Sequence, residues 1–589
     1  MAGKPLNERP PRVLVGVFPK AAGLAAAERE LIKLLGERLV GTLIEDDEGL
    51  LSVMVPWGRE EEIVSILREN GATAIGEPGE FQELPHPGVV QDHGLKLPEG
   101  GEYPELGGTA PPRVPTRVLR PEERVNHFDE IDQGFPGFVE AWAEANRCLR
   151  CPRPRCREGC PAKNDIPGFI SALLEGDPAE GIRILRRTSN FPGICGRVCD
   201  WANQCEGACI LAQEGNEPVA IGALERFLAD WELAEGRRQA QAAAQKLPSG
   251  RRVAVVGSGP SGLAAAQDLA LWGHEVTVYE ELPIAGGALA WGIPTFRLPQ
   301  HLLQAELDYL DLLGVEFIFK TKVGRDVGLD ELLEEYDAVF LGVGTTVAAT
   351  PGLPGEDLKG VYTATEFLSR AKLSQLDSSL GYEPPEVGRR LAVFGAGNTA
   401  MDVAQTALRL GAESKEEITD VVHTALRMGT KEVTVVYRRS EAEMPARREE
   451  VASAREEGVK FRFLTAPVRF IGDERGHVRA VECIEMELGE PDPSGRRRPL
   501  PKSGSEFTLE VDTVVLALGY RADTAFIQDA KEIAADGGGL ITIDKRTGRT
   551  NHKGIWAGGD IVSGPATVVG AMAAGKRAAR DISRHLKIR

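Results

Sequence analysis

Apolar and polar positions follow two rhythms along this chain. Near the N-terminus, VLVGVF (13–18) is an apolar run of strand length, and Ala25–Leu39 carries helical spacing with Leu31, Leu34 and Leu35 on one face. GTLIEDD and LLSVMVP alternate like two strands around an acidic turn, Arg59–Asn70 reads as a second helix, and ATAIGEP as a closing strand. The order βαββαβ predicts a small α+β, ferredoxin-like unit over residues 1–85. It carries no candidate chemistry and reads as a docking or packing module. Residues 86–122 are rich in Pro and Gly and predict a linker. Helical patterning then fills 123–235. From RRVAVVG (251–257) to the C-terminus, short apolar strands alternate with helices, the pattern of a parallel sheet covered on both faces.

The charge balance narrows the possible roles. The chain has 69 Lys and Arg against 88 Asp and Glu, a net charge of −19, so no nucleic-acid partner is expected. No long apolar run predicts a membrane span, and the first residues lack a secretion pattern, so a cytoplasmic location is expected. The 67 glycines suit a backbone wrapped closely around cofactors. Of nine cysteines, only Cys483 lies outside the window Cys148–Cys209. Crowding of this kind, with an odd total, argues for metal rather than a disulfide framework.

The cysteine spacing is Cys148-x2-Cys151-x4-Cys156-x3-Cys160-Pro161, then Cys195-x3-Cys199-x5-Cys205-x3-Cys209. Close spacing ending in Cys-Pro is near the iron–sulfur pattern, in which one loop offers several thiolates and a distant cysteine closes the site. Two [4Fe–4S] clusters are therefore expected. Structural zinc is the competing reading, but zinc favours paired C-x2-C knuckles or Cys/His sets, and the region holds one C-x2-C and His127 alone. Arg147, Arg150, Arg153, Arg155 and Arg157 crowd the same stretch. They could offset cluster charge, face water, or dock an acidic redox partner.

Two nucleotide fingerprints follow. VAVVGSGPSGLAAAQDLALWGHEVTVYEE (253–281) joins a strand, Gly257-Ser258-Gly259-Pro260-x-Gly262, a helix, and a second strand ending in Glu280. The glycines permit a tight turn and close approach to a pyrophosphate, and the acid can accept from a ribose. RRLAVFGAGNTAMDVA repeats the pattern at Gly395, Ala396, Gly397, Asn398 and Thr399. Its second strand, KEVTVVYRR, ends in Arg438 and Arg439, with Arg447 downstream. Arginine there suits a 2′-phosphate, so NADPH is expected. GIWAGGDIVSGPATVVGA returns far downstream, and Gly559 and Asp560 are expected to complete the first fold around FAD. DAVFLGVGTT and DTVVLALGY form two matching strand–turn elements expected at the crossings. The expected architecture is α/β: two nested Rossmann-like folds, with FAD-binding parts at 250–385 and 509–589 around an NADPH-binding part at 386–508.

With these motifs, residues 124–589 resemble the small (β) subunit of NADPH-dependent glutamate synthase. They are also similar to the FAD/NADPH modules of dihydropyrimidine dehydrogenase and of the electron-bifurcating NADH-dependent ferredoxin:NADP oxidoreductase. CLRCPRPRCREGCPAKNDIPGFI, CGRVCDWANQCEGACIL, GGALAWGIPTFRLP and VTVVYRRSEAEMPAR carry the likeness. The resemblance implies that Cys148, Cys151, Cys156 and Cys209 hold one cluster. It implies that Cys160, Cys199, Cys205 and Glu225 hold the other. It implies FAD contacts at Gly287, Ala288, Arg297, Val323, Thr567 and Val568. Electrons would pass from NADPH through FAD and the clusters to a separate protein subunit in a hetero-oligomer. The large glutamate synthase subunit is the leading partner, and a ferredoxin-linked or bifurcating complex is the alternative. The chain departs from the pattern at Asp200 and Cys195, in its N-terminal extension, and at an insertion near 413–430.

Overall fold

The computed structural model describes residues 12–18, 21–35, 40–45, 48–55, 60–76, 110–235, 247–376, 380–413, 430, 432–492, 495–523 and 533–587. Contacts divide the chain into two compact units.

The first unit holds Met1–Val118, Asp132–Ala244 and Val568–Ala573. Its N-terminal part runs β1 (Arg12–Phe18), α1 (Ala21–Leu35), β2 (Val40–Glu45), β3 (Glu48–Val55), α2 (Glu60–Glu69) and β4 (Ala74–Gly76). The sheet order is β2-β3-β1-β4 and every pairing is antiparallel, as the βαββαβ pattern predicts. Leu24, Ala27 and Leu31 of α1 and Ile63 and Leu67 of α2 bury against Leu51 and Val53 of β3.

Short helices follow: Phe138–Asn146, Arg155–Gly159, Ile166–Leu174, Pro178–Arg186, Pro192–Val198, Ile210–Gln213 and Ile221–Ala234. Pro167, Pro178 and Pro192 stand in first turns, where a missing N–H costs nothing. Helix Phe138–Asn146 packs against β2 and β3.

The expected linker 86–122 is corrected in part. Residues 86–109 lie outside the described residues, but the chain from Ala110 is bolted down. Ala110 N donates to Asn216 Oδ1 at 3.0 Å, Val114 N to Glu144 Oε2 at 2.8 Å, and Arg113 pairs with Glu206 at 2.7 Å. Composition marks flexibility, but it does not reveal which carboxylates wait across the fold.

The second unit contains two five-stranded parallel sheets of the same build. The first has the order Ile555–Ala557, Ala338–Leu341, Arg252–Val256, Glu275–Tyr279, Glu316–Ile318. The C-terminal segment thus returns to the first fold, as expected. The second has the order Val361–Thr363, Thr513–Leu516, Arg390–Phe394, Glu432–Val436, Lys460–Arg462. The two matching strand–turn elements occupy equivalent places beside the central strands. Past them Val347–Ala348 and Tyr520–Arg521 pair antiparallel, so the two crossings run side by side.

Two expected boundaries shift. Val361–Thr363 lies before 386 and Thr513–Leu516 after 508, yet both belong to the second sheet. Short apolar strands without a glycine fingerprint do not announce which sheet they enter. A further antiparallel sheet, Thr465–Gly472, Val478–Pro491, Arg497–Pro501 and Phe507–Glu510, was not foreseen. Of the insertion 413–430, residues 414–429 lie outside the described residues. Among the described residues no helix is long and apolar enough to cross a membrane.

Candidate functional site

The cysteines gather in two groups. Cys148, Cys151, Cys156 and Cys209 line one cavity of about 400 Å³, counting its open mouth. Ile166, Ile170, Val219 and Ile221 supply its apolar wall. Helix Phe138–Asn146 ends just before Cys148, and Cys209 caps helix Ile210–Gln213. Arg150 adopts a left-handed conformation (φ 47) between the first two cysteines, which curls the loop. The main chain at Arg150 and at Arg157 lies beside the Cys148 and Cys156 thiols and favours their charged form.

Burial, reinforced by neighbouring thiols, pushes Cys148 up to about 11 and Cys156 to about 12. Thiols so placed keep their protons unless a shared cation takes them over. Four sulfurs around one apolar cavity therefore fit a cubane iron–sulfur cluster.

The second group contains Cys160, Cys199, Cys205 and Glu225, with Cys195 beside them. Glu225 acts electrostatically on all three cysteines, and Cys160 and Cys205 act on one another. Cys195 is hydrogen-bonded to Cys199. Burial lifts Cys160 to about 11 and Glu225 to about 8. Asn164 Nδ2 donates to Glu225 Oε1 and Ser189 stands beside the same carboxylate, and sequence reasoning missed both. The four expected ligands are together, and three sulfurs with one oxygen fit a cluster of mixed ligation.

The five arginines separate. Arg150, Arg153, Arg155 and Arg157 are exposed. Arg147 is buried and paired with Glu144 at 2.7 Å, and it donates to the carbonyls of Pro111, Glu217 and Pro218. It is a staple of the fold rather than part of a basic surface.

At the first nucleotide fold, a Cβ on Gly262 would fall 1.9 Å from Gly257 O, while one on Gly259 meets nothing nearer than 3.9 Å. The third glycine thus lets helix Pro260–Leu271 approach the strand, and the middle one leaves the space a pyrophosphate needs. Glu280 closes the second strand. Its Oε2 accepts from Ser258 N at 3.0 Å and Ser258 Oγ at 2.5 Å, and its Oε1 from Leu282 N at 2.8 Å. Ser258 Oγ accepts from Gly286 N at 3.0 Å, drawing Gly287 and Ala288 to the turn. Asp560 follows Gly559 at a helical turn, and burial pushes it up to about 6, partly offset by the N–H of Ala566. Thr567 directly precedes helix Val568–Lys587. Val323 is in the apolar core.

Arg297 stands apart from the expected FAD contacts. Its side chain is 10% exposed and ion-paired with Asp402 at 2.6 Å and Glu450 at 3.1 Å. Burial opposes its charge, but the two carboxylates outweigh burial and hold its pKa above the usual range. Both carboxylates belong to the second nucleotide fold and were not singled out in the sequence.

In that fold, a Cβ on Gly395 would lie 2.1 Å from Ala517 O, and one on Gly397 meets only Pro445 Cγ, at 3.9 Å. Helix Asn398–Glu413 starts there and carries Thr399 in its first turn. Ala446 N donates to Ala396 O at 3.1 Å and Arg447 N to Asn398 Oδ1 at 2.9 Å. These bonds fold Arg447 over the glycine turn, where its side chain pairs with Glu450. Arg438 is exposed past the strand end, but Arg439 is buried and paired with Asp492 at 2.7 Å, donating also to Arg497 O at 2.8 Å. The space above both glycine turns and the arginines beyond the second fit two dinucleotides.

Residues 124–237 match the family described as dihydropyrimidine dehydrogenase domain II, 4Fe-4S cluster, and residues 251–575 match pyridine nucleotide-disulphide oxidoreductase. The glutamate synthase [NADPH] small chain of Escherichia coli is 36% identical over 83% of this chain and 99% of its own length. The NADP(+)-dependent formate dehydrogenase subunit beta of Moorella thermoacetica is 40% identical over 73% of this chain, which spans 60% of that subunit. The NADPH-Fe(3+) oxidoreductase subunit beta of Geobacter sulfurreducens is 38% identical over 79% of this chain and 68% of its own length. The chain therefore belongs to the pyridine nucleotide-disulphide oxidoreductase family, in the group of NADPH-dependent oxidoreductases that join this fold to a 4Fe-4S domain of the dihydropyrimidine dehydrogenase type.

Proposed function

We propose that the chain takes electrons from NADPH and passes them through FAD and two [4Fe–4S] clusters to a separate protein subunit. The observation that carries this reading is the sorting of the clustered cysteines into two groups, one half-buried around a cavity and one buried with a carboxylate. Bound FAD would accept a hydride and release electrons singly, which is the cofactor's own chemistry. The residues of this chain would do the rest. Gly259 and Gly397 make room for the two pyrophosphates. Glu280 offers a carboxylate to the flavin ribose, and Arg438 and Arg447 supply cations for the 2′-phosphate. The clustered thiolates and Glu225 would hold the irons. Arg150, Arg153, Arg155 and Arg157, exposed around the first group, would receive an acidic partner.

The names of the relatives support a partner, because they are small chains or beta subunits. The large glutamate synthase subunit is the first candidate, with ferredoxin-linked and bifurcating complexes as the alternative.

The test is anaerobic purification with identification of the co-purifying subunit, followed by assays of the isolated chain. The isolated chain should reduce artificial dyes with NADPH and form no glutamate from 2-oxoglutarate and glutamine. Glutamate formation by this chain alone would overturn the subunit reading.

A further inference from the structure

We propose that Asn164 is a positioning residue of the second cluster site, which holds Cys160 and Glu225 in one geometry and so sets that cluster's reduction potential. The inference rests on the reading of Glu225 as a ligand. Asn164 follows Cys160-Pro161-Ala162-Lys163, and Lys163 turns the chain in a left-handed conformation (φ 58). The turn brings the main chain of Asn164 beside the Cys160 thiol. The side chain serves another ligand: Nδ2 donates to Glu225 Oε1 over a long 3.4 Å.

The direction of that amide is fixed from outside the site. Thr188 Oγ1 donates to Asn164 Oδ1 at 2.8 Å, which occupies the amide oxygen and leaves the NH₂ for the carboxylate. Ser189 also stands beside Glu225, and its hydroxyl donates to Met572 Sδ at 3.9 Å. Asn164 is 3% exposed, so water does not compete for these bonds. One residue therefore stands four positions after a sulfur ligand and holds an oxygen ligand by its side chain, with Thr188 behind it.

Reduction adds a negative charge to a cluster already rich in anions. A donor aimed at a ligating carboxylate offsets that charge and favours the reduced state. Removing the Asn164 side chain leaves the main chain beside Cys160 unchanged but takes the donor from Glu225. The cluster should remain and become harder to reduce.

The experiment is an anaerobic redox titration of the full chain followed by electron paramagnetic resonance, with iron assayed in parallel. Asn164→Ala, Thr188→Val and Glu225→Ala are compared with the parent. Asn164→Ala should keep its iron and shift one cluster about tenfold toward the oxidised form, about 59 mV for a one-electron couple. Thr188→Val, which keeps the side-chain volume and loses the hydroxyl, should move the same signal in the same direction by less. That signal should be the one Glu225→Ala alters.

If Glu225→Ala alters one signal while Asn164→Ala and Thr188→Val move neither, the positioning role is overturned and the ligand reading survives. If Asn164→Ala moves the signal that Glu225→Ala leaves alone, the positioning role is also overturned. If Glu225→Ala alters neither signal, the ligand reading fails and the proposal with it. Should Asn164→Ala not fold, Thr188→Val decides by the same criteria.

Discussion

Arg438 and Arg439 are neighbours in sequence with opposite fates. Arg438 is exposed past the strand, and Arg439 is buried against Asp492. Arg438→Ala should raise the NADPH Michaelis constant about 10- to 100-fold and leave that for NADH near its parent value, because a guanidinium–phosphate bond is lost. Arg439→Ala should instead lower the melting temperature, with a smaller effect on cofactor choice. Steady-state kinetics and thermal melts of both variants check this, and equal effects of the two changes on the NADPH constant would contradict it. The sequence motif located the pair but could not separate its members. Successive side chains of an extended segment point to opposite sides, and the Asp492 that claims one of them comes from a distant strand. Asp402 and Glu450 escaped notice for the same reason, since nothing local marks them as partners of Arg297. Asp560 was legible from its two preceding glycines, and its burial gives a pH signature. Its pKa of about 6 exceeds the unfolded value, so the penalty is absent below about pH 4 and grows as pH rises through 6. In flavin-free protein, Asp560→Asn should therefore gain about 2–3 kcal/mol over the parent at pH 7 and little at pH 4. Denaturant unfolding at the two pH values measures it, and an equal gain at both would contradict the assignment.

Elements carry their own tests. Gly259→Ala should fold with near-parent stability and lose flavin, because its Cβ enters open space meant for the pyrophosphate. Gly262→Ala should destabilise the protein by about 1–3 kcal/mol even without flavin, because its Cβ would strike Gly257 O at 1.9 Å. Flavin content after gel filtration, together with melts of the flavin-free proteins, separates the two, and the reverse ranking would overturn the fingerprint's placement. The fingerprint strands, their helices and the return of Ile555–Ala557 could all be read from the sequence, since each pairs an apolar run with a glycine turn. The antiparallel sheet over Thr465–Glu510 could not. Its strands are half-exposed, and Val478–Pro491 alternates buried and exposed positions unevenly around a bulged pairing. Strands Val361–Thr363 and Thr513–Leu516 were visible as apolar runs, but their sheet was not, because strand order depends on contacts far apart in sequence.

At the scale of the whole molecule, the segment after Ala110 separates an appendage from a structural strap. Deleting residues 1–105 removes the N-terminal sheet and leaves the bonds from Ala110, Arg113 and Val114 to Asn216, Glu206 and Glu144. That variant should keep its iron and its dye reduction and should bind the partner subunit less well. Deleting residues 1–118 strips all three bonds, including the Arg113 ion pair with Glu206, the neighbour of Cys205, and should lose iron from the second group. Iron assays and co-purification compare the two, and equal iron loss from both would show that the sheet itself supports the clusters. The number of irons bound by the full chain decides between two clusters and fewer. Anaerobic iron and acid-labile sulfide analysis after full reconstitution should give about eight of each per chain, the content of two cubanes, unchanged by Cys195→Ser. Four irons or fewer, or zinc in their place, would contradict it.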